Sequence, residues 1–443
     1  MGGLLQRLDV RAVAGDVTPH LPHPAVASAG PVAAVREILG QVAREGDSAL
    51  VRLTERFDGV TIPADGLRVP PAEVAAAVSV ISDALRAAFI EARDAIEACH
   101  RTQVHTDADH ERAGVRVSDL RRPMARAGVY VPGGRAPLAS TVLMTAVPAR
   151  VAGVAEVVLC TPPRRDGSVA PEILAAAALS GVDEVYRVGG AQAVGAMAYG
   201  TESIRPVDVI VGPGNAYVAI AKREVAGAGR VAVSAAFAGP SEVVVVADDT
   251  TPVDLAAIDV IVQAEHGPDG LAWLVTWSAD AADAISAAVD VLTEKAFRRA
   301  EIESTLASNG YCVLVRDAAQ AMEVANAVAP EHLELMSADP EALLPSVTNA
   351  GAVFLGPYAP ASVGDYVAGP SHVLPTDRTA RFSSGLRVDD FCKHIHVVNL
   401  DQAALAGLAP HVVAIADAEG LAAHADSVRL RVRAEESSAG TPG

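Results

Sequence analysis

Short apolar runs, each ending in a glycine or proline turn and leading into a helical pattern, constrain the fold of this chain most. Between Ala127 and Phe237 they are Val129–Val131, Val154–Leu159, Glu184–Val188 and Val207–Val211. Strands that alternate with helices are typical of a parallel sheet covered by helices. The alternation resumes at Val243 and continues to Leu355. We therefore expect an α/β protein with two Rossmann-like parallel-sheet domains and small N- and C-terminal appendages.

The same pattern suggests domain boundaries. We expect an N-terminal arm at 1–30, a first α/β domain at 31–126 plus 238–381, a second α/β domain at 127–237, a C-terminal segment at 382–433 and a disordered tail at 434–443. A terminal stretch of small and polar residues is typical of disorder, which explains the last assignment.

Composition narrows the class of protein and of partner. Apolar residues make up 51% of the 443-residue chain, enough for a large core. The formal net charge of −19 argues against nucleic acid and anionic membranes as partners. The four cysteines form no CxxC pattern, so neither a thiolate zinc site nor a disulfide framework is indicated. No signal peptide or membrane-length apolar run is evident, and we expect a cytoplasmic protein.

Two strand–turn–helix junctions combine glycines with a carboxamide side chain. Gly189–Gly190 precedes Gln192, and Gly212–Gly214 precedes Asn215. Glycine lets the backbone approach a ligand closely, and a helix N-terminus attracts phosphate. One such turn is more typical of a tight connection, and the GxGxxG fingerprint is absent. Two in one sheet favour a nucleotide or cofactor site, on which Tyr130 could stack.

A candidate metal pair closes the amphipathic run Asp254–Gln263. Gln263 and His266 are three residues apart and share a face if the helix continues. An amide oxygen and an imidazole nitrogen are acceptable zinc donors, although such a pair alone is more typical of a solvated face. Asp365 and His424 would complete a nitrogen and oxygen site, but no spacing rule links positions so far apart.

Candidate acid–base residues lie further along the chain. Glu331 and His332 are adjacent and could each transfer a proton, although the dipeptide alone is more typical of a surface ion pair. The loop 356–378, which contains Asp365 and His372, is long for a compact domain. Loops of this length are usually functional or disordered, and its apolar residues argue against disorder.

Ten ordered motifs resemble the histidinol dehydrogenase family over roughly residues 30–430. They are Gly128–Gly134, Ser140–Met144, Gly189–Ala193, Gly212–Asn215, Ala238–Glu242, Gln263–Asp269, Pro330–Leu333, Gly364–Tyr366, His372–Thr376, and Ala418–Leu421 with His424. The resemblance implies a zinc-dependent enzyme that oxidises L-histidinol to L-histidine through the aldehyde and uses two NAD.

The resemblance also implies residue roles. It assigns proton abstraction from the alcohol to His332 and activation of water to Glu331. The implied zinc ligands are Gln263, His266, Asp365 and His424, and the implied NAD contacts are Tyr130, Gln192 and Asn215. The implied substrate contacts are Ser241, Gln263, His266, Glu331, His332, Asp365, His372, Glu419 and His424.

The resemblance further implies a homodimer with one zinc ion per subunit. The segment 382–433 would then be a dimerisation segment that completes the site of the partner chain. On this basis His372, Glu419 and His424 would reach the site from the second chain, 127–237 would bind NAD, and the first domain would carry the metal and acid–base residues.

Departures from the family pattern concern the substrate more than the reaction. The family usually has an Ile-Asp pair where this chain has the run Val233–Phe237, which contains no acid and departs at Ala235 and Phe237. Ser371 stands where the family usually has Asn. Lys393-His394 stands where Lys-Arg is common. Another amino alcohol, or a polar or sulfonated diol, is therefore an alternative substrate. A zinc hydrolase is an alternative of another class, and a catalytically silent binding protein is the least favoured.

Overall fold

The computed structural model describes residues 3–22, 31–133, 137–233, 241–267 and 270–438. The chain divides into two compact units, of which the first comprises Met1–Gln103 with Met124–Phe391 and the second Val104–Pro123 with Cys392–Gly443.

Strands and helices alternate along most of the chain. In the described ranges the strands are β1 (Gln6–Asp9), β2 (Ala108–Arg112), β3 (Val115–Pro123), β4 (Arg126–Tyr130), β5 (Glu156–Thr161), β6 (Glu184–Arg187), β7 (Val209–Val211), β8 (Ala232–Val233), β9 (Glu242–Ala247), β10 (Leu271–Thr276), β11 (Gly310–Leu314), β12 (His332–Met336), β13 (Ala352–Leu355) and β14 (Cys392–Leu400). The α-helices are α1 (Val32–Glu45), α2 (Asp47–Asp58), α3 (Pro71–Val80), α4 (Asp83–Arg101), α5 (Ala139–Ala152), α6 (Pro171–Ser180), α7 (Gly190–Tyr199), α8 (Ala216–Gly227), α9 (Val253–Val262), α10 (Ala279–Lys295), α11 (Arg299–Asn309), α12 (Ala318–Val328), α13 (Pro340–Leu343), α14 (Ala361–Tyr366), α15 (Gln402–Ala418) and α16 (Ala422–Ser438).

One parallel sheet of the first unit has the strand order β6-β5-β4-β7-β8, as far as the described residues extend. Its central strands are apolar and buried on both faces, as in Val157–Leu159, which is typical of a parallel sheet with helices on each side. The order reverses between β4 and β7. Such a reversal leaves a crevice at the carboxyl ends of the two strands.

Helices α1–α4 cover this sheet, a packing that differs from the expected domain division. Val35 and Leu39 of α1 belong to the core on one face, and Phe89 and Ile96 of α4 belong to the core on the other. The prediction that grouped 31–126 with 238–381 is therefore wrong for these helices. An apolar stripe shows that a helix face is buried, but it does not indicate which sheet covers that face.

A second parallel sheet of the first unit has the order β1-β11-β10-β9-β12-β13 within the described residues. β1 pairs Gln6 with Tyr311 at its edge, and Val10 and Val17 are buried in its core. The assignment of 1–30 as an arm is thus wrong for these residues, and 23–30 lie outside the described ranges. The two parallel sheets confirm the predicted α/β fold class.

The second unit contains the antiparallel strands β14-β3-β2 and the helices α15 and α16. The hairpin 104–123 therefore belongs with the C-terminal segment, which begins at Cys392 and not at 382. Helix α16 extends to Ser438, so the predicted disorder is wrong for 434–438, and 439–443 lie outside the described residues. Within the described ranges, no helix has both the length and the apolar character needed to cross a membrane.

Candidate active site

Buried polar side chains gather where β9 and β12 begin. Glu242 is the first residue of β9, and His332 is the first residue of β12. The register pairs His332 with Val243, which places Glu331 beside Glu242. The site therefore lies at the amino edge of this sheet. The sequence did not predict β12, because its charged residues interrupt the apolar pattern that normally identifies a buried strand.

Glu331 and Glu242 bind each other's backbone. The Glu331 Oε2 accepts from the Glu242 N–H at 3.0 Å, and the Glu242 Oε2 accepts from the Glu331 N–H at 3.2 Å. The Glu242 Oε1 accepts from the Asp377 N–H at 2.9 Å. Burial raises the pKa of Glu242 to about 8, even though these backbone donors oppose the shift. The sequence motif that contains Glu242 suggested no role for it; the signal for one is an acidic residue that opens a buried apolar strand.

The His332 ring is held on both edges. Nδ1 lies 3.0 Å from the Glu242 carbonyl oxygen, and Nε2 lies 3.1 Å from Oδ1 of Asp365. The ring also stacks on Phe354 at a centroid distance of 5.9 Å. Burial alone would lower the pKa of His332, but the charges of Glu331 and Asp365 outweigh it and raise the pKa well above its ordinary value. Because both nitrogens face acceptors, this arrangement favours the imidazolium form.

Asp365 and Gln263, two of the four predicted metal ligands, are in contact. The Gln263 Nε2 donates to Oδ2 of Asp365 at 3.0 Å. Burial would raise the pKa of Asp365, but the hydrogen bond and charge of His332 reverse this effect and lower it. Helix α9 ends at Val262 and a 3₁₀ turn, Ala264–His266, follows. Gln263 is buried, whereas His266 at the end of that turn is exposed.

His372 connects the site to the neighbouring five-stranded lobe. Its Nδ1 lies 2.8 Å from the Asp365 carbonyl oxygen, and its Nε2 lies 3.2 Å from the hydroxyl of Thr141 on α5. Burial lowers the pKa of His372, which favours the neutral ring. His372 thus reaches Asp365 within its own chain, and the expectation that a second chain supplies it is wrong. Next to it, the Ser371 hydroxyl donates to the Met144 carbonyl at 2.9 Å.

A cavity of about 330 Å³ is bordered by His332, Asp365, Ser371 and His372. Its lining residues are Gln103, His332, Gly351, Ala352, Val353, Phe354, Gly364, Asp365, Pro370, Ser371, His372, Leu374, Ser384, Gly385, Leu386 and Arg387. This volume lies at the lower end of the range for small-molecule sites. The sequence did not predict Gln103 or Arg387 as site residues. Gln103 follows helix α4 and Arg387 follows a loop, and neither lies in a recognisable motif. Ser241, a predicted substrate contact, directly precedes β9 and is half-buried.

The predicted NAD residues surround the crevice of the other sheet. Tyr130 ends β4, Gln192 lies in the first turn of α7, and Asn215 caps α8 through Oδ1. The Tyr130 hydroxyl accepts from the Gly190 N–H at 3.0 Å. Gly212 has φ of +102°, and a Cβ there would lie 2.1 Å from the Tyr130 carbonyl oxygen. The turn between β7 and α8 therefore requires glycine. Gly134, from the first motif, lies outside the described residues.

Neither unit alone contains all four predicted metal ligands. Gln263, Asp365 and His266 provide oxygen and nitrogen donors of the kind that zinc accepts, whereas His424 and Glu419 are exposed residues of the second unit. Among the residues that the structure describes, no group of three or more His, Cys, Asp or Glu is arranged to hold a metal ion. The donor types fit zinc if another donor completes the set.

Comparison with known proteins identifies the family. The family described as "Histidinol dehydrogenase" matches residues 23–432. Histidinol dehydrogenase of Moorella thermoacetica is 47% identical over 411 residues, which are 92% of this chain and 95% of the relative. That of Gluconobacter oxydans is 47% identical over 399 residues, 90% of this chain and 92% of the relative.

A solved structure extends this agreement to the fold. The crystal structure of histidinol dehydrogenase from Elizabethkingia anophelis superimposes with a TM-score of 0.93 at 33% sequence identity, covering 98% of this chain and 100% of that one. Sequence and structure thus agree over nearly the whole chain, and it belongs to the histidinol dehydrogenase family of oxidoreductases.

Proposed function

We propose that this enzyme oxidises L-histidinol to L-histidine through L-histidinaldehyde, with two successive hydride transfers to NAD, as a step of histidine biosynthesis. The observation that carries the proposal is the placement of His332, between the Glu242 carbonyl and Asp365, beside a cavity of about 330 Å³. An acid–base group of this kind is what removal of a hydroxyl proton requires.

His332 takes the alcohol proton. The base is the neutral ring, which would form once Asp365 binds zinc and its charge no longer holds a proton on Nε2. This tautomer keeps its Nδ1–H bond to the Glu242 carbonyl, which fixes the ring orientation. Nε2 would then accept the hydroxyl proton, and NAD, when bound, would supply the acceptor for the hydride that leaves the same carbon. Stacking on Phe354 restricts the ring further, so little reorientation is needed between proton uptake and release.

Glu331 acts in the second half of the reaction. Its Oε2 is held by the Glu242 N–H, so its remaining oxygen is the candidate base for a water molecule. Attack of that water on the aldehyde gives a hydrate, and the water proton passes to the Glu331 carboxylate. A second hydride transfer then yields the acid. General-base assistance of this kind contributes roughly 10²–10⁴-fold to rate.

Zinc and NAD complete the proposal. Gln263, His266, Asp365 and His424 would hold zinc, which when bound supplies Lewis acidity and coordination for the amine and imidazole nitrogens of the substrate. NAD would lie at the crevice between β4 and β7, in contact with Tyr130, Gln192 and Asn215. A crevice at a strand-order reversal is the usual place for a dinucleotide in such sheets.

We also propose a homodimer in which Glu419 and His424 of each chain complete the site of its partner. The family resemblance motivates this arrangement, in which Gln263 and Asp365 come from the first unit of one chain and Glu419 and His424 from the second unit of its partner. The contact of Asp365 with His372 in its own chain leaves these two residues as the contribution of the second chain. A cytoplasmic location stays a prediction.

Two assays separate the proposal from its alternatives. NADH formation from L-histidinol, compared with other amino alcohols and with sulfonated diols at equal concentration, identifies the substrate. A preference for another alcohol would contradict the assignment of L-histidinol as substrate, but it would leave the proposed mechanism standing. Titration calorimetry with NAD tests the hydrolase alternative, because a zinc hydrolase has no reason to bind NAD.

A further inference from the structure

A pair of buried carboxyl groups lies behind the active site and has no part in the proposed chemistry. Glu334 on β12 is 1% exposed, and Asp259 on α9 is 6% exposed. The two carboxyl groups lie within hydrogen-bonding reach of each other. Burying two carboxyl groups away from water is costly.

The pair can bond only through a proton. The Glu334 Oε2 is buried and receives no hydrogen bond from the N–H and O–H donors of the described residues. A carboxylate only accepts hydrogen bonds, so two of them in contact repel unless one carries a proton. Burial raises the pKa of Glu334 to about 8 and also raises that of Asp259. Both directions favour a shared proton at neutral pH.

The pair joins the three elements that carry the polar residues of the site. The Glu334 Oε1 accepts at 2.8 Å from the N–H of Ala361, the first residue of α14, and α14 carries Asp365. Glu334 lies two residues beyond His332 on β12, so the two side chains share a strand face. Asp259 lies one helical turn before Gln263, on the same side of α9. Among the described residues, Asp259 and His332 are charged groups that act on the Glu334 carboxyl.

We propose that Asp259 and Glu334 share one buried proton, and that this carboxyl pair is a positioning device that sets Gln263, His332 and Asp365 for metal and substrate binding. The inference rests on the proposed zinc site and assigns no catalytic step to either residue. Groups that orient metal ligands typically contribute 10–100-fold to metal affinity or activity.

The test compares zinc affinity among variants of the full-length protein, by competition with a chromophoric chelator. Glu334→Gln keeps an acceptor for the Ala361 N–H and places an amide donor toward Asp259, so its affinity should remain near the wild-type value. Glu334→Leu removes both bonds and should weaken zinc binding roughly 10–100-fold. Asp248→Asn, at a buried carboxylate bonded to Thr250 and Ala338, is the control for a general loss of stability and should keep wild-type affinity.

A second measurement applies if Glu334→Leu does not fold. Burial raises the pKa of Glu334 to about 8, so the wild type should lose the shared proton as pH rises through this value, whereas Glu334→Gln has no proton to lose. The zinc affinity of the wild type should therefore fall relative to that of Glu334→Gln as pH rises. Three results would each overturn the inference. They are wild-type zinc affinity in Glu334→Leu, identical pH profiles for the wild type and Glu334→Gln, and a wild type that takes up no zinc.

NADH formation from L-histidinol by the wild type is measured in parallel. Failure of that reaction with the expected pattern of zinc affinities would refute the proposed substrate and leave the positioning role standing. The opposite combination would refute the positioning role alone.

Discussion

Glu242→Gln tests the electrostatics of the site without changing its shape. Glu242 is 4% exposed, and its two oxygens accept from the N–H groups of Asp377 and Glu331. Burial raises its pKa from 4.5 to about 8, so at neutral pH the folded protein holds a neutral carboxyl group. Glutamine has nearly the same shape and is neutral at every pH, but only its Oε1 can accept, so one of the two backbone N–H bonds is lost. That loss is the same at every pH, so the change of the difference with pH isolates the charge.

The sign of the pH effect follows from linkage between protonation and folding. The folded pKa of Glu242 lies above the unfolded one, so its contribution to stability is complete below about pH 4.5 and is lost as pH rises toward 8. Each pH unit in this window corresponds to about 1.4 kcal/mol. From pH 5.5 to 7.5 the wild type should therefore lose about 2–3 kcal/mol relative to Glu242→Gln.

Urea unfolding of the metal-free proteins near pH 5.5 and 7.5 measures this difference. Asp248→Asn is the control with the opposite sign. Burial would raise the pKa of Asp248, but hydrogen bonds from Thr250 and Ala338 lower it, so its contribution is constant over this window and is lost only in acid. A wild-type minus Glu242→Gln difference that does not change with pH would refute the assignment of a neutral, buried Glu242.

Three further substitutions test separate parts of the site. Glu331→Gln should slow the conversion of aldehyde to acid by roughly 10²–10⁴-fold and slow alcohol oxidation much less. Stopped-flow assays with each substrate measure the two rates, and an equal decrease in both would contradict separate roles. Gly212→Ala should abolish NAD binding in calorimetry, because its Cβ would meet the Tyr130 carbonyl, whereas Gly229→Ala, also at positive φ but in open space, should bind NAD normally. His266→Asn should lose zinc by elemental analysis, and a full metal content would exclude His266 as a ligand.

The sequence indicated most of the sheets because their strands are continuous apolar runs. Residues 243–246 and 271–276 are apolar or nearly so, and both form strands buried on two faces. The sequence did not predict β12, because His332 and Glu334 are polar side chains that lie inside the core. Their burial is sustained by contacts with Asp365 and Asp259, which a local pattern cannot reveal.

Polar edge strands escaped prediction for a related reason. β2 has no buried residue, and β1 is largely exposed. Neither shows the alternation that one buried face produces. These strands form because neighbouring strands offer free backbone groups, which is information that lies elsewhere in the chain.

The site itself could be assembled from sequence only through resemblance. Gln263 and Asp365 are separated by 102 residues yet their side chains share a hydrogen bond, and no periodicity connects them. The structure adds what the resemblance did not assign: the bracing of Glu331 by Glu242, and the contact of His372 with Asp365 in its own chain. Ala235 and Phe237, where the sequence departs from the family, lie outside the described residues.

The most direct test of the proposed function is the stoichiometry of a complete reaction. Purified enzyme loaded with zinc is supplied with limiting L-histidinol and excess NAD, and NADH and L-histidine are both quantified. The account predicts two NADH for each L-histidine, with both products lost on chelation and restored by zinc. One NADH with accumulation of aldehyde, or no turnover of L-histidinol by the zinc-loaded enzyme, would contradict it.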